Sequence, residues 1–87
     1  MNGTLEVYVY KRGTTEYCNG AEVTVQDQEP GFDHSDGCVT DSTCNPCNFT
    51  VPPGWYEVSV RKDISEDCDT IYIWEGQISS LHLQVTC

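Results

Sequence analysis

The 87-residue chain is small and strongly acidic, with fourteen Asp and Glu residues against four Lys and Arg residues and a formal net charge of −10. Nucleic acid and anionic membranes are poor partners for such a chain, because both are bound through positive surface charge. The length predicts one domain, 1–87, with a thin core, and no apolar run approaches the ~20 residues that would insert across a bilayer.

The spacing of apolar residues predicts strands and no helix. Within each predicted strand apolar and polar residues alternate, which places the apolar side chains on one face. In the first strand, Leu5, Val7 and Val9 face inward. In chain order, the predicted strands are Thr4–Tyr10, Ala21–Val25, Cys38–Asp41, Cys47–Val51, Tyr56–Arg61, Asp69–Trp74 and Ile78–Thr86.

The connecting segments contain residues that favour turns and loops. Residues 42–46 predict a short connection, and therefore a hairpin between the third and fourth strands. Pro52-Pro53-Gly54 predicts a sharp corner, because two prolines cannot lie inside a central strand and glycine permits positive φ. Asp63–Asp67 predicts a charged loop, and Glu75-Gly76 predicts a turn. Seven short strands with such spacing are typical of a β-sandwich or a small barrel.

Several of these signals follow one another in a specific order. They are Gly3-Thr-Leu-x-Val-x-Val, Gly20-Ala-x-Val-x-Val, Thr40-Asp41, Phe49-Thr-Val-Pro-Pro-Gly-Trp-Tyr-x-Val-x-Val and a last Leu-x-Leu. This order resembles the carboxypeptidase regulatory-like, transthyretin-like sandwich, and the collagen-binding B-type repeats of surface adhesins are similar. The resemblance implies a seven-stranded Greek-key, immunoglobulin-like domain. It also implies an accessory or surface-displayed module without catalysis.

Six cysteines are many for a chain of this length, and we interpret them as structural disulfides that reinforce a thin core. Each bridge would add roughly 2–4 kcal/mol. We favour a bond between Cys38 and Cys47, with Cys44–Cys47 as the competing pair, and expect Cys87 to fasten the C-terminus or to link two subunits. The full set is Cys18, Cys38, Cys44, Cys47, Cys68 and Cys87.

Two other chemistries suit part of this set. Cys44 and Cys47 have the C-x2-C spacing of a zinc knuckle, with Cys38 as a nearby third thiolate. The same spacing occurs in redox pairs, although these usually lie at a helix N-terminus and not in a β-turn.

An acidic segment surrounds Asp33-His34-Ser35-Asp36-Gly37. Oxygen ligands from Asp33, Asp36 and Asp41 would suit calcium, although the spacing does not match an EF-hand loop. A solvated acidic loop is the simpler interpretation. Apart from this calcium hypothesis, no cofactor is predicted.

Tyr8, Tyr10, Tyr72 and Trp74 share a parity that points away from the predicted core. Exposed aromatic side chains on a sheet can fill a protein interface, stack on sugar rings, or cover the outer face of the sheet. Trp55, next to the Pro-Pro-Gly corner, is interpreted as a packing residue.

No catalytic set is recognisable, because His34 and His82 are isolated and no Ser or Cys can be matched to a histidine and an acid. We therefore predict no enzymatic activity. The cysteine content predicts an oxidising location, either extracellular or on a cell or virion surface. In such a location Asn2 and Asn48, which begin Asn-x-Thr sequons, are candidate glycosylation sites.

These features predict a non-catalytic structural module of a filament, coat, virion surface or adhesin. Its predicted partner is protein, foremost other copies of the chain. A carbohydrate-binding accessory module that uses the same aromatic residues is one alternative. A small calcium- or zinc-binding domain is another.

Overall fold

The computed structural model describes residues 2–28, 35–41 and 46–87, and every regular element within these ranges is a β-strand. The prediction of an all-β fold is therefore confirmed. The strands are β1 (Gly3–Lys11), β2 (Glu22–Asp27), β3 (Ser35–Val39), β4 (Cys47–Val51), β5 (Gly54–Lys62), β6 (Ser65–Ile73) and β7 (Ile78–Val85). The described residues form no helix long and apolar enough to cross a membrane.

The strands form two sheets. One has the order β4-β1-β7 and the other the order β3-β2-β5-β6. Strands β1 and β7 run parallel, whereas all other neighbours are antiparallel. The chain therefore passes from one sheet to the other after β1, β3, β4 and β6.

The core is one cluster of apolar side chains contributed by both sheets. Leu5, Val7 and Val9 are completely buried, as their alternation predicts. Burying one such side chain contributes roughly 1.5–3 kcal/mol. Ile71 and Leu81, also predicted to face inward, are only partly buried against the core. The other buried members in the strands are Val23, Val25, Cys47, Phe49, Val51, Tyr56, Val58, Val60, Ile73, Leu83 and Val85.

The Pro-Pro-Gly segment turns the chain from β4 into β5 of the other sheet. Gly54 has a φ of 148°, a conformation that favours glycine. Tyr56 is completely buried, and its hydroxyl donates a hydrogen bond of 2.6 Å to the carbonyl oxygen of Pro52. The buried phenol thus keeps a partner for its polar end and fastens the corner to β5.

The predicted hairpin between the third and fourth strands is wrong. Strand β3 pairs with β2, and β4 pairs with β1 in the other sheet. In β4 the buried residues are Cys47, Phe49 and Val51, and Leu5 lies directly opposite Phe49. Pairing beside β1 buries this apolar face, whereas most of β3 is exposed.

The predicted charged loop at Asp63–Asp67 is also wrong. Only Asp63 and Ile64 form the turn, and β6 begins at Ser65. Asp63 has a φ of 53°, a value that aspartate tolerates better than most residues. Because β6 lies at the edge of its sheet, its charged side chains reach water and do not prevent strand pairing.

Both sides of this two-sheet body are bridged. A disulfide between Cys38 and Cys47 joins the edge strands β3 and β4. On the opposite side, the Asp67 carboxylate accepts a hydrogen bond of 3.1 Å from the backbone N–H of Gln84 in β7. Just beyond it, the Ser65 hydroxyl accepts one of 3.0 Å from the N–H of Thr86. These contacts pair backbone groups at the edge of β7 that another strand would otherwise bind.

A second disulfide joins Cys18 to Cys87 and fastens the C-terminus, which was one of the two roles expected for Cys87. Cys68 was expected to be bridged, but it forms no disulfide within the described part of the chain. Its side chain points outward from β6 into solvent, away from the other strands. Cys44 lies outside the described residues.

Candidate interaction surfaces

The four aromatic residues with outward parity lie on two different surfaces. Tyr8 and Tyr10 are on β1, in the three-stranded sheet. Tyr72 is on β6, in the four-stranded sheet, and Trp74 follows that strand directly. Strand parity distinguishes inward from outward side chains, but it does not identify the sheet. The shared outward parity of these four residues therefore does not place them on one face.

The outer face of the three-stranded sheet carries a tyrosine cluster, made of Tyr8, Tyr10, Tyr17 and His82. The parallel pairing of β1 and β7 places Tyr8 opposite His82. The His82 ring centroid lies 4.8 Å from that of Tyr8 and 5.6 Å from that of Tyr10, with interplanar angles of 9° and 8°. Offset in this way, the rings cover part of one another's faces, and their edges and hydroxyl groups remain available for outside contacts.

Tyr17 joins the cluster because the chain folds back beside the end of β1. Strand β4 stops pairing with β1 at Val7. Beyond that point, the N–H of Cys18 donates to the carbonyl of Val9 at 2.9 Å, and Tyr10 forms a β-bridge with Tyr17. The ring centroids of Tyr10 and Tyr17 are 5.4 Å apart. Sequence analysis missed Tyr17 because it lies in a polar segment without alternation.

The electrostatics of the cluster centre on Tyr10. Burial, and then the neighbouring phenols of Tyr17 and Tyr8, raise the pKa of the Tyr10 hydroxyl. This hydroxyl lies 3.2 Å from Nδ1 of His82. The sequence context suggested that His82 is isolated, but in the structure it contacts Tyr8 and Tyr10. The phenol groups of the cluster can both donate and accept hydrogen bonds.

The outer face of the four-stranded sheet carries a tryptophan cluster, made of Trp55, Tyr72 and Trp74. Trp55 lies opposite Tyr72 across β5 and β6, with ring centroids 5.4 Å apart at an angle of 79°. Trp74 is tilted by 57° against Tyr72 at 4.6 Å. Because the rings are tilted, 51% of Trp55 and 57% of Trp74 stay exposed.

The interpretation of Trp55 as a packing residue is therefore wrong. Its neighbour Tyr56 occupies the inward position of β5 and is completely buried. Strand alternation, applied from Tyr56 back by one residue, was the signal that could have placed Trp55 on the surface.

Basic residues lie at the opposite end of the same sheet, where Arg61 points outward from β5 and Lys62, the last residue of β5, has the inward parity and reaches toward Gly20. A shallow depression there, the Arg61–Lys62 depression, is lined by Gly20, Glu22, Arg61, Lys62 and Asp63. Arg61 forms an exposed ion pair of 3.8 Å with Glu66. Lys62 forms no ion pair with any residue that the structure describes.

All four basic residues of the chain lie at this end of the molecule. Lys11 is the last residue of β1, Arg12 follows it directly, and residues 13–21 lead from there into β2. The first residue of β2, Glu22, lies opposite Arg61. The end with the tryptophan cluster has no basic residue, so charge is distributed unevenly along the strands.

The calcium hypothesis stays a prediction. Asp33 lies outside the described residues. The Asp36 carboxylate accepts a 2.8 Å hydrogen bond from the N–H of Gly37, and Asp41 is exposed. Residues 2–28, 35–41 and 46–87 contain no group of three side chains suited to a metal ion. The zinc hypothesis loses two ligands, because Cys38 and Cys47 form a disulfide.

Both glycosylation candidates are exposed. Asn2 precedes β1, and its carbonyl accepts a hydrogen bond from the N–H of Gly76. Asn48 lies on the outward side of the edge strand β4, opposite Glu6. Their modification stays a prediction.

Comparison of the chain with protein-family models and with curated proteins finds no match. The resemblance to transthyretin-like domains stays an expectation based on sequence pattern. Function must therefore be inferred from the surfaces of the molecule, of which the two aromatic clusters are the most distinctive.

Proposed function

We propose that the chain is a non-catalytic structural module of an extracellular or surface assembly, in which it binds copies of itself. The observation that carries this proposal is an aromatic cluster on the outer face of each sheet. Tyrosine and tryptophan are enriched in the buried centres of protein interfaces. A subunit with two separate contact surfaces can bind one neighbour on each side, and repeated contacts of this kind build filaments and coats.

The tyrosine cluster suits a protein partner better than a sugar. Its rings lie nearly parallel with centroids 4.8–6.3 Å apart, so contacts within the cluster occupy part of each ring face. Stacking on a sugar ring requires an open aromatic face, whereas a protein interface also uses ring edges and hydroxyl hydrogen bonds. The pairing of Tyr8 with His82 across two strands holds these groups in a fixed arrangement.

The covalent framework supports an extracellular scaffold. Two disulfides in a small all-β domain are compatible with an oxidising location. We further propose Greek-key connectivity and a seven-stranded, transthyretin-like sandwich. Four passages of the chain between the two sheets support this assignment.

The test is the size of the assemblies that the protein forms. Light scattering over a range of concentrations and electron microscopy should find particles larger than dimers for the wild-type chain. The double variant Tyr8→Ser/Tyr10→Ser removes one surface and Trp55→Ser/Trp74→Ser removes the other. Each variant should stop at dimers, and the combined variant should be monomeric.

Thr24→Ser and Thr50→Ser, on exposed positions of the two outer faces, are matched controls and should assemble like the wild type. Circular dichroism and thermal unfolding check that each variant is folded. A wild-type chain that stays monomeric at all concentrations would overturn the proposal.

A carbohydrate-binding module is a second candidate, favoured by the exposure of Trp55 and Trp74. Half-open indole rings suit stacking on sugars. Binding of a glycan to a monomeric chain, with a change in tryptophan fluorescence that Trp55→Ser abolishes, would support this candidate over self-assembly.

A further inference from the structure

We propose that two copies of the chain pack face to face through their four-stranded sheets, with the strands antiparallel about a two-fold axis. The tryptophan cluster of each copy then covers the Arg61–Lys62 depression of the other. The inference rests on the proposed function, since it gives the partner and geometry of one of the two contacts.

The placement of the two surfaces leads to this geometry. Trp55 and Arg61 both point outward from β5 and are six residues apart, or about 20 Å along the strand. The two-fold axis lies between the two sheets, perpendicular to the strands and midway between Trp55 and Arg61. It places β5 of one copy over β5 of the other, with the two strands running in opposite directions. Each cluster then lies over the opposite end of the partner, so one contact is made twice.

The chemistry of the two ends is complementary. Tryptophan rings attract cations positioned over their faces. Arg61, which points outward, brings a guanidinium group whose ion pair is exposed. Lys62, at the end of the same strand, brings an ammonium group that forms no ion pair with a described residue and whose flexible stem reaches the rim of the face. Glu75 follows Trp74 in an exposed turn and supplies a carboxylate to the same basic groups.

The uneven distribution of charge favours the antiparallel orientation. A parallel arrangement would place the four basic residues of the two copies together, and the wholly acidic ends together. The antiparallel arrangement opposes unlike ends. At physiological salt, repulsion between charges farther apart than about 8 Å is largely screened, whereas direct contacts are not.

The face has enough area for a concentration-dependent dimer. Strands β3, β2, β5 and β6 are five, six, nine and nine residues long. At about 3.3 Å per residue and about 4.8 Å between strands, they cover roughly 460 Å² on each copy. The sum for two copies, roughly 900 Å², is the size of a weak, transient interface. Its outward side chains on β2 and on most of β5 and β6 are exposed, and no described segment covers them.

Cys68 provides a built-in reporter for this geometry. It lies opposite Ser59, one residue from the midpoint between the Trp55–Tyr72 and Arg61–Glu66 pairs. The axis therefore brings the Cys68 residues of the two copies together across sheets about 10 Å apart. That spacing is too wide for a disulfide, which needs Cα atoms within about 7 Å. A short bis-maleimide, whose two C=C bonds each add one thiol S–H, is long enough to join them.

The first experiment is cross-linking of the full chain with this reagent. Wild type and Cys44→Ser should give a covalent dimer on a denaturing gel, and Cys68→Ser should give none. A dimer that forms without Cys68, or only with Cys44, would overturn the geometry.

The second experiment measures dimer dissociation by sedimentation, with every variant made in the Tyr8→Ser/Tyr10→Ser background so that the four-stranded sheet supplies the contact under test. Arg61→Glu/Lys62→Glu should raise the dissociation constant at least tenfold, and so should Glu75→Lys. Lys11→Glu/Arg12→Glu is the matched control: it lowers net charge equally and also removes one exposed ion pair. It should leave the dimer intact.

Mixing the two charge variants is the decisive test. Because the contact occurs twice, a dimer of either charge variant alone places like charges opposite each other. In a 1:1 mixture of Arg61→Glu/Lys62→Glu with Glu75→Lys, each contact of a mixed pair joins unlike charges. The mixture should therefore form heterodimers. Failure of the mixture to dimerise would overturn the inference. If the wild type still forms assemblies that only the tyrosine substitutions disrupt, the proposed function survives and this contact alone is wrong.

Discussion

Gly3, the first residue of β1, packs directly against the end of β6. A Cβ atom at this position would lie 2.6 Å from Cγ2 of Ile73 and closer still to the carbonyl oxygen of Trp74. The carbonyl belongs to the backbone and cannot rotate away. At the residue scale, the absence of a side chain is therefore a packing requirement.

We expect Gly3→Ala to lower the free energy of unfolding by about 1–3 kcal/mol, the range for overpacked sites. Denaturant unfolding measures the change. Gly37→Ala is the control, because its Cβ would meet only the carbonyl oxygen of Val23 at an ordinary 3.5 Å. Equal stability of the two variants would contradict the close approach at Gly3.

The raised pKa of Tyr10 predicts that the folded chain loses stability at alkaline pH. Burial and the phenols of Tyr17 and Tyr8 raise the pKa of Tyr10 in the folded chain. The folded chain therefore keeps this proton at a pH where the unfolded chain releases it. Stability falls as pH rises above about 10, the ordinary tyrosine value, until the raised pKa is passed.

Unfolding free energies at pH 8 and pH 11 test this expectation. Tyr10→Phe should lose less stability between the two pH values than the wild type. Tyr72→Phe, in the other cluster, keeps Tyr10 and should retain the wild-type loss. An identical alkaline loss in Tyr10→Phe would refute the assignment.

At the scale of elements, the two disulfides perform different tasks. Cys38–Cys47 joins two edge strands across a separation of 9 residues, whereas Cys18–Cys87 closes a separation of 69 residues. Cross-links that close longer loops remove more conformational freedom from the unfolded chain. The Cys18–Cys87 bond should therefore contribute more to stability than the Cys38–Cys47 bond.

Loop-closure entropy gives about 4.4 kcal/mol for Cys18–Cys87 and about 2.6 kcal/mol for Cys38–Cys47. We expect paired Cys→Ser variants to lose stability in that order in denaturant unfolding. Intact-mass analysis before and after reduction verifies that only the intended bond is missing. The reverse order would mean that the inter-sheet bond holds the native packing and that the loop-entropy argument fails here.

At the scale of the whole molecule, a net charge of −10 is held within extents of only 34 × 23 × 19 Å. Like charges at such separations repel and destabilise the compact state. In 10 mM salt the screening length is about 30 Å, comparable with the molecule, and at 0.15 M it is about 8 Å. The two described ion pairs are exposed and offset little of this repulsion.

The melting temperature should therefore rise as sodium chloride is increased from 10 to 150 mM, as measured by thermal unfolding at a fixed, low protein concentration. Sucrose at matched osmolality is the control, because it is uncharged and should have a smaller effect. A melting temperature that falls with salt would show that attractive ion pairs outweigh the net repulsion.

The amino-acid sequence alone determined the all-β character of the fold and most of the inward-facing side chains, but it began β3 three residues and β6 four residues too late. Alternation is a local property with a period of two, so it correctly buried Leu5, Val7 and Val9 and correctly delimited Cys47–Val51. The same alternation placed Tyr8 and Tyr72 outward. These features need no knowledge of strand partners.

Only the tertiary structure decided which strands are neighbours, and hence what each surface contains. The separation of Tyr8 from Tyr72 depends on which sheet each strand joins. The stacking of His82 on Tyr8 depends on parallel pairing between strands at opposite ends of the chain. Cys38 and Cys47 connect two sheets because the buried face of β4 pairs with β1 and not with β3. Such choices reflect the energies of contacts that are distant along the chain, which a local pattern does not encode.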